Sequence, residues 1–345
     1  MTLESLFSAL HSKGYLLSPL PPTMPPATLG NPWYVRALTG FMGWLGGLLV
    51  LGFLGAMLSG LFNNTAAMAT IALLLFAGSA AIYHVFSDND FATQFALAAS
   101  ICGQVLATLA FGKAVGHSIE ASDVAWFVAA LQVALVLVMP NALHRLLSSL
   151  FAVTALYVAA HKGVLLPVID VTLALAWVLL VRNESAMVVR GWRRLAEPLI
   201  AGIGIALLLR PVAQIDLFRS TPWLPFSVYS ALAFAFALTL WVGLATTRQS
   251  TKLRAAAVLA TVVFCALTWQ APGLIASTLV LLIAFASGRR ALSAAGILAL
   301  LAYLSTYYYQ LQMTLAEKSL VLTFGGLGLV FMWWLHRQYL STEAT

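Results

Sequence analysis

Residues 35–60 read VRALTGFMGWLGGLLVLGFLGAMLSG, an apolar run in which Arg36 is the one charged side chain. A helix of about 20 such residues crosses the hydrocarbon core of a bilayer. Similar runs recur along the 345-residue chain, of which 61% is hydrophobic and 8% charged. This composition leaves too few polar groups to cover a water-soluble surface, and the alternating polarity of membrane strands is absent. The sequence therefore predicts an all-α fold, a polytopic transmembrane helical bundle.

The apolar runs predict about 12 transmembrane spans. They lie at about 35–60, 65–84, 92–112, 122–139, 144–160, 163–181, 196–210, 226–246, 253–269, 273–287, 290–309 and 315–336. With a cytoplasmic N-terminus, 13 of the 18 Lys and Arg residues fall on the cytoplasmic side and five on the other. Because positively charged loops stay in the cytoplasm, this distribution predicts a multi-pass membrane protein with both termini in the cytoplasm.

The two ends of the chain predict small segments outside the bundle. Residues 1–12 carry apolar side chains at helical spacing, which predicts a short amphipathic helix. The prolines of residues 13–32 exclude a helix and predict an extended tether. Residues 33–337 form a single predicted transmembrane domain, and residues 338–345 form a C-terminal tail.

The first span begins with residues suited to a membrane interface. Trp33 and Tyr34 are predicted to anchor among the lipid headgroups, while Arg36 extends its side chain toward the cytoplasmic headgroups. Further along the same span, Gly43 and Gly47 form a GxxxG pattern, which allows a second helix to approach closely. We therefore expect a tightly packed helix pair here.

Asp170, in GVLLPVIDVTLALAW, is the clearest ionisable residue inside a predicted span. A carboxylate within a membrane is costly unless it has a partner, water or a proton. One interpretation is an ion pair or hydrogen bond inside the bundle, with Arg210 as a candidate partner. The other is a proton or cation site. Both interpretations stay open at the level of the sequence.

Signatures of enzymes, metals and nucleic acids are scarce. The histidines never pair as HxxxH or HExxH, and most lie at predicted span ends, where an imidazole can stay hydrated. Cys102 and Cys265 each lie in an apolar run and are predicted to be packing residues. The net charge of +7 forms no basic stripe, so the lipid bilayer and not nucleic acid is the expected partner. We expect no metal, no cofactor and no catalytic constellation.

The stretch from Ser305 to Ser319, STYYYQLQMTLAEKS, is unusually polar for this chain. Thr314 and Glu317 form a capping box, which predicts that the last span starts near Leu315. Lys318 then places a cation in the first turn, against both the helix dipole and the positive-inside bias. Lys318 therefore calls for a partner, which is Glu317, a lipid phosphate or another protein.

Tyr307, Tyr308 and Tyr309 precede this helix cap. Tyrosine concentrates at membrane interfaces, which explains the three residues in part. Three successive helical residues fan over about 200°, so at least one of them should face the bundle or a binding partner. An aromatic belt and a contact surface are both consistent with the sequence.

Two end segments, PWYVRALTGFMGWLGGLLVLGFLG and YYYQLQMTLAEKSLVLTFGGLGLV, resemble the bacterial multi-pass family catalogued as domain of unknown function 4401. The resemblance extends from about Pro32 to Trp334, and its C-terminal pattern is matched by Tyr307 to Tyr309, Leu311, Leu315, Lys318, Ser319, Gly325, Gly326 and Gly328. It implies a partner, because family members tend to be encoded beside a membrane-anchored GDYXXLXY-type protein whose domain is thought to lie outside the cytoplasm. It implies no activity.

Two functions follow from these observations. The favoured one is a non-enzymatic subunit of an envelope membrane complex, whose outward hairpin from Tyr307 to Lys318 docks the GDYXXLXY-type partner. The alternative is a secondary transporter or lipid-handling permease that uses Asp170. A polar cavity around Asp170 at mid-depth would favour transport, whereas a solid bundle with an exposed outer aromatic patch would favour docking.

Overall fold

The structure is a computed structural model that describes residues 32–57, 59–116, 120–160, 165–214, 228–269 and 271–310, together with Ser319 and Thr323. Within these ranges the regular elements are α-helices and two short 3-10 segments, without a strand. The helices are α1 (Trp33–Met57), α2 (Thr65–Val85), α3 (Asp90–Val115), α4 (Ala121–Val138), α5 (Ala142–Ala159), α6 (Leu165–Arg182), α7 (Glu184–Val189), α8 (Arg193–Leu209), α9 (Val228–Ala245), α10 (Thr251–Leu267), α11 (Pro272–Ala286) and α12 (Arg290–Gln310). The 3-10 segments are Ser59–Asn63 and Arg210–Gln214.

Each of the first eleven predicted spans corresponds to one long helix of the described chain, and the short α7 is additional. Eight helices are long and apolar enough to cross a membrane, which indicates a membrane protein. The predicted twelfth span at 315–336, the amphipathic helix 1–12, the tether 13–32 and the tail 338–345 lie outside the described residues.

Side-chain caps and glycines explain where several helices begin and end. Asn64 accepts hydrogen bonds from the backbone at the start of α2, and Asn89 and Asn141 do the same for α3 and α5. Gly191 and Gly288 have φ angles of 81° and 69°, a conformation that side chains with a Cβ rarely adopt. These glycines let the chain turn before α8 and before α12.

Small residues bring neighbouring helices close together. A Cβ on Gly43 would lie 2.2 Å from the carbonyl oxygen of Phe91, and one on Gly47 would lie 2.8 Å from the Cβ of Ala98. The GxxxG face of α1 therefore packs directly on the backbone of α3, as the sequence predicted.

The largest core cluster lies between α6, α8, α9 and α11. Its fully buried members include Trp177, Ile200, Phe234 and Leu279. The indole Nε1 of Trp177 donates a 2.8 Å hydrogen bond to the carbonyl oxygen of Ile200, so the one polar atom of this side chain is satisfied in the core. This cluster forms a solid centre between the two ends of the bundle.

Ion pairs and hydrogen bonds define one end of the bundle, which we call the arginine end. Here Arg36 of α1 meets Asp90 of α3, and Arg289, before α12, meets Glu184 of α7. At the same end, the Arg145 guanidinium donates to the carbonyl oxygens of Val136 and Arg194 at 3.0 and 2.9 Å, which joins the starts of α5 and α8.

The opposite end, which we call the tyrosine end, contains the end of α5, the start of α6, the 3-10 segment after α8 and the end of α12. Tyr157, Tyr303 and Tyr307 lie in the two hydrophobic clusters at this end. The candidate residues of the sequence analysis that the structure describes therefore fall at two opposite ends of one helical bundle.

Candidate functional site

A buried ion pair lies at the tyrosine end. The Nε of Arg210 donates to Oδ1 of Asp170 at 3.1 Å, and its Nη2 donates to Oδ2 at 3.4 Å. Asp170 is 0% exposed and Arg210 is 4% exposed. The two contacts match the fork of the guanidinium to the two oxygens of the carboxylate. The partner that the sequence analysis considered for Asp170 is thus present in the structure.

Tyr157 completes the surroundings of this pair. The guanidinium carbon of Arg210 lies 4.6 Å from the centre of the Tyr157 ring, a distance suited to a cation–π contact. The same tyrosine packs in a cluster with Val153, Leu166 and Ala206. Because the guanidinium already occupies the position beside the carboxylate, this arrangement favours the ion-pair interpretation of Asp170 over a cation site.

The tyrosines of α12 attach this helix to the same end. The Tyr303 hydroxyl donates a 2.5 Å hydrogen bond to the carbonyl oxygen of Leu208, two residues before Arg210. The Tyr303 ring lies against Gly273, where an added Cβ would come within 2.4 Å of ring carbons. Tyr307 packs on the cluster that Tyr303 forms with Ala271 and Leu274. The end of α12 is therefore held against α8 and α11.

Tyr308 and Tyr309 lie outside the cluster that Tyr303 and Tyr307 form. Tyr308 is half-buried, whereas Tyr309 is 78% exposed. Their rings meet edge to face, with centroids 5.6 Å apart and an angle of 81° between the ring planes. The three tyrosines thus face different surroundings, as the helical spacing predicted, and an aromatic pair projects from a firmly packed helix end.

The structure brings some candidate residues together and separates others. Asp170, Arg210 and Tyr307 share the tyrosine end, because Val212 of the segment after Arg210 contacts the Tyr303 cluster that Tyr307 joins. Glu317 and Lys318, with their capping box, lie outside the described residues. Trp33, Tyr34 and Arg36 lie at the start of α1, which belongs to the arginine end.

Arg36 has a protein partner that the sequence analysis did not consider. Its Nε and Nη2 donate to the two carboxylate oxygens of Asp90 at 3.0 and 3.1 Å, while its side chain stays largely exposed. The pair lies at the same α1–α3 interface as Gly43. Arg36 therefore both reaches the exposed edge of the bundle and helps to fix α1 on α3.

A buried histidine was missed by the sequence analysis. His144 of α5 is 1% exposed, so the expectation that the histidines at span ends stay hydrated is wrong for this residue. Its Nε2 shares a 2.7 Å hydrogen bond with Ser100 Oγ, and its Nδ1 shares a 3.2 Å hydrogen bond with Ser148 Oγ. Tyr83 meets the imidazole edge to face. These contacts satisfy both ring nitrogens within the bundle.

Only part of the polar cluster around His144 could be predicted from the sequence. His144 and Ser148 are four residues apart and so lie on one face of a helix. Ser100 is 44 residues from His144 and meets it only through the packing of α3 on α5. A polar helical face in an otherwise apolar span was the available clue. Within the described part of the chain, no group of three His, Cys, Asp or Glu side chains could hold a metal ion.

The fold and these contacts define the class of protein. The chain is an all-helical protein whose described residues include eight helices suited to a membrane, with a buried ion pair and an aromatic cluster at one end. It belongs to the family described as domain of unknown function, DUF4401, whose pattern matches residues 32–339. No curated protein and no solved structure matches the chain.

Proposed function

We propose that this protein is a non-enzymatic subunit of a membrane complex in the bacterial envelope, and that its tyrosine end docks a partner protein. In this proposal it is a multi-pass protein of the inner membrane with about 12 spans and both termini in the cytoplasm. The tyrosine end then faces away from the cytoplasm. The partner is a membrane-anchored protein of the GDYXXLXY type, as the family resemblance implies.

One observation carries the proposal: half-buried Tyr308 and exposed Tyr309 form an aromatic pair at a helix end that packs on the bundle. Tyrosine is enriched in protein interfaces because it contributes a large contact area with little loss of side-chain entropy. Tyr303 and Tyr307 hold the end of α12 against the bundle, so docking would not have to order this segment first. Lys318 follows in sequence and adds a cation for an acidic partner surface.

The alternative function, a secondary transporter or lipid-handling permease that uses Asp170, has less support. Transport through Asp170 needs a carboxylate that exchanges protons or cations with water. Asp170 is instead fully buried and paired with Arg210. The Arg210 guanidinium in turn lies over the ring of Tyr157, a member of an apolar cluster. A structural role explains these contacts more simply.

Co-purification from native membranes tests the docking proposal. Tyr308→Ala, Tyr309→Ala and Lys318→Gln should each reduce the amount of the GDYXXLXY-type partner that copurifies with the protein. Tyr34→Ala is the matched control, because Tyr34 is an exposed tyrosine at the arginine end. The amount of the protein in the membrane should not change in any of the four. The proposal is wrong if the three variants retain the partner as fully as the control does.

A further inference from the structure

A cleft of about 570 Å³ opens at the arginine end. The end of α2, the loop before α3, the turn before α5 and the first turn of α8 surround it. Its polar lining consists chiefly of Tyr83, His84, Asp88, Asn141, Arg194 and Glu197. The cleft lies far along the bundle from the tyrosine end, so it is independent of the docking surface proposed above.

Tyr83 is the buried polar residue of this cleft. It is 4% exposed, and its hydroxyl has no hydrogen-bond partner among the described residues. Its ring is fixed by packing with Ala96, Leu135 and Met139 and by the edge-to-face contact with His144. A buried hydroxyl without a partner costs about 1–3 kcal/mol. A ligand oxygen in the cleft would remove this cost by accepting the hydrogen bond.

The charged side chains around the cleft are of both signs. Glu197 forms an ion pair with Arg193 at 2.8 Å, and Arg193 does not line the cleft. The arginine that lines the cleft is Arg194. Neither Arg194 nor Asp88 forms a side-chain ion pair within the described part of the chain. Within the described residues, the cleft therefore offers one cation, Arg194, and one carboxylate, Asp88, that are not in an ion pair.

We propose that this cleft binds a zwitterionic head group that carries a phosphate and an ammonium group. The phosphate accepts hydrogen bonds from the Tyr83 hydroxyl and from the Arg194 guanidinium, and the ammonium group lies beside the Asp88 carboxylate. A purely anionic head group would meet Arg194 but would also be repelled by Asp88. Either a phosphatidylethanolamine lipid or a soluble phosphoethanolamine ester supplies this chemistry.

Binding measurements on the full chain in micelles of an uncharged maltoside detergent distinguish the two sources, because phosphatidylcholine itself carries a phosphate and an ammonium group and would compete for the cleft. Glycerophosphoethanolamine, added as the soluble probe, should bind if the ligand is a free ester. Native mass spectrometry should show preferential retention of phosphatidylethanolamine over phosphatidylglycerol if the ligand is a lipid. Either result supports the site. The proposal is overturned if glycerophosphoethanolamine does not bind and phosphatidylethanolamine is retained no better than phosphatidylglycerol.

Three variants of cleft residues test whether the ethanolamine probe binds in the cleft. Tyr83→Phe, Asp88→Asn and Arg194→Gln should each weaken the binding of the ethanolamine probe about tenfold or more, since each removes a hydrogen bond or contact to a charged group. Tyr309→Phe and Arg254→Gln are the controls, because both residues are exposed and lie outside the cleft lining. Unchanged binding by all three cleft variants would contradict the proposal.

Tyr83→Phe also separates binding from folding. The change keeps the ring that packs against Ala96 and Leu135 and removes only the buried hydroxyl. We therefore expect the variant to unfold at the same temperature as the parent protein or at a higher one when the ethanolamine ligand is absent. A variant that bound weakly and also unfolded much earlier would show that the hydroxyl supports the fold and not the ligand.

Discussion

Asp170 and Arg210 show how this protein keeps charge inside an apolar bundle. Removing two charges from water costs several kcal/mol for each ion, and only close, well-aligned contacts between the two ions offset this desolvation cost. The pair has two such contacts, at 3.1 and 3.4 Å, and Tyr157 covers the guanidinium. The pair therefore contributes little net stability as a unit, whereas the loss of one partner leaves the other charge buried.

Single substitutions in the pair should be strongly destabilising. Asp170→Asn and Arg210→Met should each lower the free energy of unfolding by about 3–5 kcal/mol, because each leaves a buried charge without its counter-ion. The double variant should lose less than the sum of the two single variants. Thermal unfolding in detergent measures these changes.

The exposed pair of Arg193 and Glu197 is the matched control for this experiment. Both side chains are substantially solvent-exposed, so Arg193→Gln should change the free energy of unfolding by only about 0–1 kcal/mol. Additive losses at Asp170 and Arg210 would show that the two residues do not act as a pair.

The sequence could predict the pair but not the other polar cluster. Asp170 and Arg210 are ionisable residues in or beside apolar runs, so each needs a partner and few candidates exist. Ser100 and His144 are ordinary in sequence, and their contact depends on which face of α3 meets α5. The rotation of one helix against another is set by tertiary packing, which a single span does not encode.

At the scale of the helices, close approach at two glycines acts together with the Arg36–Asp90 ion pair to fix α1 on the bundle. Gly43 and Gly47 remove side-chain volume from the face that α3 meets, so dispersion contacts form along the backbone. Many apolar side chains of α1, such as Phe53 and Leu49, are exposed in the isolated chain and are suited to lipid. The glycines and the Arg36–Asp90 pair together specify which side of α1 faces inward.

A methyl group at this interface should therefore separate the two helices. Gly43→Ala would place a Cβ 2.2 Å from the Phe91 carbonyl oxygen, and we expect a loss of about 1–3 kcal/mol in the free energy of unfolding. Gly52→Ala is the control on the same helix, because nothing lies within 4 Å of the added Cβ. Both changes raise helix propensity equally. Tryptophan fluorescence during thermal unfolding should distinguish them, and equal stability of the two variants would exclude tight packing at Gly43.

Helix positions were predictable because each long helix is one apolar run between polar turns. The predicted and observed ends of the first eleven differ by no more than about three residues, which is the usual uncertainty of a helix end. The short α7 was not predicted, because its segment ESAMVV has no long apolar run and belongs to a charged connection. Its position depends on tertiary contacts, including that of Glu184 with Arg289.

At the scale of the whole molecule, the two ends differ in charge. Among the described residues, Arg36, Arg145 and Arg194 lie at one end, whereas Tyr157, Tyr303, Tyr307 and the buried Asp170–Arg210 pair lie at the other. Positive loops stay on the cytoplasmic side of bacterial membranes. The proposed orientation therefore places the arginine end in the cytoplasm and the tyrosine end outside it.

Cysteine labelling tests this orientation. In a background with Cys102→Ala and Cys265→Ala, Lys113→Cys should react with a membrane-impermeant maleimide in spheroplasts, because it lies at the far end of α3. Gln249→Cys, in the turn between α9 and α10, should react only after the membrane is opened. The opposite pattern would invert the orientation, and reaction at both positions would contradict the predicted number of spans.

The buried ion pair also has a consequence for the synthesis of the chain. The ribosome makes Asp170 forty residues before Arg210, so α6 leaves the ribosome with a carboxylate whose counter-ion does not yet exist. An aspartate at a helix centre raises the free energy of membrane insertion by about 2.5–3.5 kcal/mol, and Asp170, in the second turn of α6, incurs part of this cost. Stable insertion of α6 should therefore wait for α8, and a chain truncated after Arg182 should insert α6 less completely than a chain that extends past Gln214.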